Sequence, residues 1–157
     1  MGRDVKPGKK FKYDLETVLK VRHIHEKKEL ETFAERKRSY LEELAKQDRI
    51  EAEKRAREGE LRSILGKGPI SDFERILRRK HHLGILKEEK DKQVKKTDEA
   101  SEKMEVQRQK LVESVKERKV MERHKENKFK KYKEVMTQLE GKTMDEIAVT
   151  RHARRAS

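Results

Sequence analysis

The chain has 157 residues and a formal net charge of +13, with 48% of its residues charged, 31% hydrophobic and 4% aromatic. So polar a chain cannot bury a thick core, which excludes a compact globule and leaves disorder or long helices. More than half of it is Ala, Glu, Lys, Leu and Arg, with only two prolines; that is the composition of coiled-coil helices, provided the apolar residues are periodic.

The absence of cysteine removes disulfides and thiolate metal sites. The longest stretch free of Asp, Glu, Lys and Arg, at 81–86, is too short for a membrane span or a signal-peptide core. The expected setting is therefore soluble and reducing, the cytoplasm. Arg3, Lys6, Lys9 and Lys10 at one end and Arg151, Arg154 and Arg155 at the other give both tails positive charge. Such tails suit an acidic protein surface, nucleic acid or anionic lipid.

Pro7-Gly8 marks a flexible basic tail over 1–13, followed by the densest apolar patch, FKYDLETVLKVR at 11–22. Asp14 can cap a helix that starts at Leu15. With Leu30 at a, the a and d positions of this first helix are Leu30, Phe33, Lys37, Tyr40, Leu44, Gln47, Glu51, Lys54, Glu58, Leu61 and Leu65. That seam is apolar at its ends and polar between Gln47 and Glu58, an interrupted coiled coil. The opening patch reads in a different frame, which predicts a stutter over 22–28. LGKGP at 65–69 ends the helix and turns the chain.

Ser71-Asp72-Phe73-Glu74 fits a capping box that opens a second helix. With Ile76 at a, the a positions run Ile76, Leu83, Lys90, Thr97, Met104, Leu111, Arg118, Lys125, Tyr132 and Leu139. Leu86, Ala100, Met121 and Val135 fall at d, and Val94, Val115, Phe129 and Met136 at the adjoining e. One stripe kept this long argues for helix over disorder. Gly84 is the point at which the helix would divide, and Gly141 is expected to stop it. Thr143-Met144-Asp145-Glu146 then caps a short C-terminal helix.

The expected layout is thus a tail over 1–13, a helix over 14–65, a turn over 66–71, a helix over 72–140, and a short helix with a basic tail over 143–157. The fold class is all-α, an elongated antiparallel two-helix coiled-coil hairpin with arms of about 75 and about 100 Å. Pairs such as Glu16–Lys20, Glu51–Arg55 and Glu53–Arg57 support the exposed faces.

Catalysis finds no support. His23-Ile24-His25 and His81-His82 lack an i, i+4 ligand spacing or matched carboxylates, so solvated helix histidines explain them and no metal or cofactor is expected. Gly66-Lys67-Gly68 lacks both the GK[ST] ending and the preceding strand of a phosphate loop. Basic charge interleaved with 31 acids, and no aromatic platform, give no specific nucleic-acid module. Three classes stay open: a protein–protein adaptor, a basic nucleic-acid-binding coiled coil, and a structural scaffold.

Both ends carry a resemblance. FKYDLETVLKVRHIHEKKELE resembles the opening of the flagellar export protein FliJ family, with an aromatic–x–aromatic start, then Leu15-Glu16, Val18-Leu19 and Arg22. KFKKYKEVMTQLEGKTMDEIAVTRHARR resembles that family's C-terminal end, and the likeness covers nearly the whole chain, central turn included. It implies a stalk-like hairpin that enters the hexameric flagellar export ATPase with the end carrying both termini. It implies promotion of ATPase assembly and activity, contact with an export-gate membrane protein, and binding of export chaperones, at the cytoplasmic face of the inner membrane and without direct membrane insertion. Stalk proteins of needle-type secretion systems share the plan and are the alternative. By position, the ATPase-binding end would be Phe11, Leu15, Val18, Leu19 and Arg22 with Tyr132, Val135, Met136 and Leu139, joined by Arg151, Arg154 and Arg155. The gate-binding candidates are Phe73, Leu77, Leu83 and Leu86.

Overall fold

The computed structural model describes residues 10–67 and 73–156. Within them lie two helices, α1 (Glu16–Leu65) and α2 (Phe73–Ala156), packed against each other as a helical hairpin. Contacts divide the chain into two units, Met1–Glu26 with Glu113–Ser157, and Lys27–Val112.

Amides of the first turn of α1 are taken up locally: Glu16 N–H donates to the Tyr13 carbonyl at 3.2 Å and Leu19 N–H to the Leu15 carbonyl at 3.0 Å. At its C-terminus, Gly66 N–H donates to the Arg62 carbonyl at 3.0 Å and Lys67 N–H to Ile64 at 3.4 Å, so the helix ends where LGKGP predicts. The rest of the expected turn, the Ser71 capping box and the tail over 1–9 lie outside the described residues.

The heptad frame of α1 holds further than its apolar content suggests. Leu19, Glu26, Phe33, Tyr40, Gln47, Lys54 and Leu61, seven residues apart in succession, are all buried or half-buried. No stutter is therefore needed over 22–28. Glu26 occupies the inward position there, and its charge is met by Arg118 of α2. Leu30 and Leu65 are exposed although the same frame places them at a. In α2 every a position from Ile76 to Leu139 is buried or half-buried.

Two expected breaks do not occur. Helix α2 passes through Gly84 and Gly141 and reaches Ala156 without division, so the separate C-terminal helix over 143–157 is the continuation of α2. Neither glycine adopts a left-handed φ. Each sits among strong helix formers, and an isolated helical glycine costs only about 1 kcal/mol relative to alanine. Thr143 does not cap; its Oγ1 donates to the Leu139 carbonyl at 2.9 Å, one turn back in the same helix.

In the unit Lys27–Val112 the helices run antiparallel, since Glu29, Glu43, Glu51 and Glu60 of α1 meet Gln107, Gln93, Lys90 and Arg79 of α2 in reverse order. Its buried apolar residues are Ile76 and Leu86, 7% and 3% exposed. Gln93, Thr97 and Gln107 are just as deeply buried. Gln93 Nε2 donates to the Glu43 carbonyl at 3.0 Å and to its carboxylate at 2.6 Å, and Gln107 makes the same two bonds to Glu29. A buried amide so paired avoids the cost of an unsatisfied polar group.

The unit formed by the chain ends is antiparallel too. Glu16 meets Lys125 at 2.6 Å, Arg22 meets Glu117 at 2.5 Å, and Glu26 meets Arg118. Glu16 thus reaches across to α2 instead of pairing with Lys20, whereas Glu51–Arg55 and Glu53–Arg57 form along α1 as expected.

Candidate functional site

The end of the hairpin that carries both termini is closed by aromatic packing. The Phe11 ring lies 5.1 Å from Phe129 and 5.5 Å from Tyr132, both tilted, within the range at which ring quadrupoles attract. Lys133 places its ammonium 4.7 Å from the Phe129 ring centre, a cation–π contact. One residue pair further in, Tyr13 is buried, its hydroxyl 2.8 Å from His124 Nδ1 and 3.4 Å from the Met121 carbonyl. Phe11, Leu19 and Phe129 line an open groove of about 680 Å³ with Lys20, His23 and Glu126 among its polar walls.

Of the residues assigned by position to this end, Leu19 is 5% exposed and Tyr132, Met136 and Leu139 are half-buried, so they hold the helices together. Leu15, Val18 and Val135 are exposed and available to a partner. Arg22 is engaged by Glu117. Beside it, Arg118 donates to Glu26 and Glu122, and these two bonds raise its pKa above the ordinary guanidinium value. The buried residue nearest to full enclosure here is Ser114, which a count of apolar positions passes over.

Beyond Leu139, α2 continues with every residue from 140 to 155 exposed. Met144 and Val149 are each 69% exposed and Ile147 is 43% exposed. Arg151, Arg154 and Arg155 lie on this uncovered stretch, about 18 Å or more past Leu139 along the helix. The structure therefore separates the arginines from the aromatic clamp with which the sequence grouped them.

The four residues assigned after the turn divide in the same way. Phe73 and Leu77 are 64% and 50% exposed, Leu83 is half-buried, and Leu86 belongs to the core. A folded hairpin can offer the first two to a partner but not the last. No group of three or more His, Asp or Glu able to hold a metal ion occurs among the described residues, and no described helix is long and apolar enough to cross a membrane.

Residues 11–157 match the family model described as flagellar FliJ protein. Among solved structures, one described as a YscO homolog, CT670, from Chlamydia trachomatis is similar, with a TM-score of 0.50 and 20% identity over 91% of this chain and 96% of that one. At that identity the likeness concerns the fold. A comparison with curated proteins gives no match.

Proposed function

The chain belongs to the FliJ family of flagellar proteins, a type III export component, and from that premise we propose that it binds the hexameric flagellar export ATPase through the end that carries both termini. It acts there as a non-catalytic stalk, promoting assembly and ATP hydrolysis. The observation that carries this reading is the uncovered part of α2 beyond Leu139, which presents Met144, Ile147 and Val149 followed by Arg151, Arg154 and Arg155. A helix that leaves apolar side chains in water and whose last turns are basic is suited to a partner lined with apolar groups and, at its far end, acidic ones. The aromatic clamp of Phe11, Phe129 and Tyr132 anchors the base from which it projects.

A two-helix hairpin inside a six-fold ring touches the subunits unequally. Each nucleotide state of the ring can then favour one orientation, provided its contact energy differs between states. Phe73 and Leu77, at the other end of α2, are the residues exposed enough to meet an export-gate membrane protein, and export chaperones are the remaining partners of this reading.

The test is ATP hydrolysis by the flagellar export ATPase titrated with the full chain and with Arg151→Ala/Arg154→Ala/Arg155→Ala. These positions are exposed, so circular dichroism should be unchanged while stimulation drops severalfold. Undiminished stimulation by the triple variant would overturn the assignment. Tight binding to duplex DNA at physiological salt with no stimulation by the wild type would replace it with a nucleic-acid function.

A further inference from the structure

Beyond Leu139, α2 carries a stripe whose spacing reads the same in both directions. Glu140, Met144, Ile147, Ala148, Arg151 and Arg155 fall at i, i+4, i+7, i+8, i+11 and i+15. At 3.6 residues per turn all six lie within about 100° of one another around the helix. All six are exposed. The positions mirror one another about the midpoint between Ile147 and Ala148: 140 reflects onto 155, 144 onto 151, and 147 onto 148. The chemistry does not mirror, for an acid stands at one end, apolar side chains fill the middle and two arginines stand at the other end.

These charges have no counterpart in their own helix. The neighbours of Glu140 at three and four residues are Met136, Thr137, Thr143 and Met144, and those of Arg151 are Ile147, Ala148, Arg154 and Arg155. Among the described residues no hydrogen bond or ion pair engages either side chain. Arg151 and Arg155, four apart, repel each other. Elsewhere in α2, Arg108 and Arg118 each have an acid one turn away, Glu105 and Glu122. The hairpin seam does not use the stripe either. Its a frame runs on from Leu139 through Glu146 and Ala153, on the opposite side of the helix.

We propose that this stripe pairs antiparallel with the same stripe of a second copy of the chain, across a two-fold axis between Ile147 and Ala148. Glu140 of each copy then lies between Arg151 and Arg155 of the other, which supplies the missing acid and relieves their repulsion, while Met144, Ile147 and Ala148 leave water together. A two-fold contact needs a surface that complements itself when reversed. Mirrored spacing with opposite charge at its two ends is such a surface, whereas an unlike partner imposes no mirror on a helix. Six side chains a copy over about 22 Å make a small interface, in the class of transient contacts, so dissociation is expected in the micromolar range or above. A paired chain withholds Met144, Ile147, Arg151 and Arg155 from the ATPase. That consequence rests on the function proposed above; the pairing does not, and its test uses this chain alone.

Sedimentation equilibrium of the full chain from about 10 μM to about 1 mM, at about 0.1 M salt, should show a monomer–dimer equilibrium. Glu140→Lys makes both ends of the stripe basic and Arg151→Glu/Arg155→Glu makes both acidic, so each should weaken the dimer about tenfold or more. An equimolar mixture of the two should associate about as well as the wild type, since each brings the charge the other lacks. Val149→Glu, exposed on the far side of the helix, should change association less than about twofold. Circular dichroism equal to that of the wild type verifies that each variant is folded. Orientation is read separately, because the chain has no cysteine. Met144→Cys mixed with Arg151→Cys should form the mixed disulfide, and Met144→Cys alone should not, since its two copies stand about 10 Å apart along the axis. This arm does not depend on the charge reversals, so a frayed variant leaves the proposal open to refutation. A wild type that stays monomeric, folded charge variants that stay apart when mixed, or Met144→Cys linking to itself more readily than to Arg151→Cys overturns it. Equal weakening by Val149→Glu and Glu140→Lys overturns it as well.

Discussion

The two units use the same two helices and solve the same packing problem by different chemistry. In the unit of the chain ends, Tyr13 and Leu19 are buried, the Phe11–Phe129–Tyr132 rings close the end, and ion pairs such as Arg22–Glu117 and Lys125–Glu16 flank the seam. In the unit Lys27–Val112 two apolar residues, Ile76 and Leu86, are again buried, but three polar ones, Gln93, Thr97 and Gln107, are buried with them between the helices. Apolar contact is non-directional, so it stabilises without choosing a register. An amide that must reach one carbonyl and one carboxylate chooses a register at some expense of stability. The difference teaches that one unit clamps the hairpin and the other aligns it.

The largest expected effect comes from removing the apolar anchor of each unit. Leu19→Ala and Leu86→Ala should each cost about 2–5 kcal/mol in urea denaturation, because each creates a cavity at a site 5% or 3% exposed. Leu15→Ala, at a position 40% exposed, should cost less than about 1 kcal/mol. Amide hydrogen exchange sharpens the comparison: Leu86→Ala should raise exchange first over 27–112, and Leu19→Ala over 16–26 and 113–139. A single uniform rise for both would mean that the units do not open separately.

Next in size is the polar alignment. Gln93→Ala removes one donor from the Glu43 carbonyl and one from its carboxylate, which keeps Lys46, and should cost about 1–3 kcal/mol. Gln107→Ala should behave alike through Glu29. If either were neutral in denaturation, the bonds would be incidental to the pairing.

These glutamines also mark the limit of what could be read from the sequence. The Ile76 frame named every inward a position of α2, because apolar residues recur there often enough to fix the phase. Counting only apolar residues, it left Gln93, Gln107 and Ser114 unremarked at d, although they are among the most buried side chains of the helix. Their positions followed from the frame; their burial depended on carboxylates and backbone of α1, which no single-helix pattern contains. The stutter over 22–28 was expected because the opening patch was read in another frame; Leu19 keeps the d position of the Leu30 frame, and Glu26, the next d, finds its partner in Arg118 of the opposite helix. Partner-facing residues were harder still. Leu86 and Leu19 were assigned to binding by their position in a family pattern, and only the packing of the opposite helix shows them as core.

Acid should act on the aligning unit through its carboxylates. Glu43 is held below the ordinary value of 4.5 by hydrogen bonds from Lys46 and then Gln93, Glu51 by Lys90, and Glu60 by Arg79. A depressed carboxyl stabilises the fold fully above its unfolded pKa and loses that contribution as pH falls through the folded one. Stability should therefore be flat through neutrality and decline below about pH 4.5, modestly because all three are solvent-accessible. Thermal melts of Glu51→Gln against wild type check this: their difference should shrink as pH drops through that window, and a constant difference would detach the shift from the Lys90 contact.

The smallest effect bears on the uncovered part of α2, which neither mode of packing supports. Over 140–155 no residue is buried, so its helicity rests on local terms alone, and Gly141 is the weakest of them. A Cβ built at Gly141 meets nothing within 4 Å and the backbone there is not left-handed, so alanine enters without strain. Gly141→Ala should then add up to about 1 kcal/mol to helix propagation and protect the amides that follow it from exchange. Gly84→Ala, equally unobstructed but inside the aligned unit, supplies the control, because tertiary packing already holds the helix there. Protection gained after residue 141 and little gained after residue 84 would show that the extension is held by propensity and the hairpin by its seam. If Gly141→Ala changed nothing in the extension, the continuity of α2 past Leu139 would have to come from something other than its own local preference.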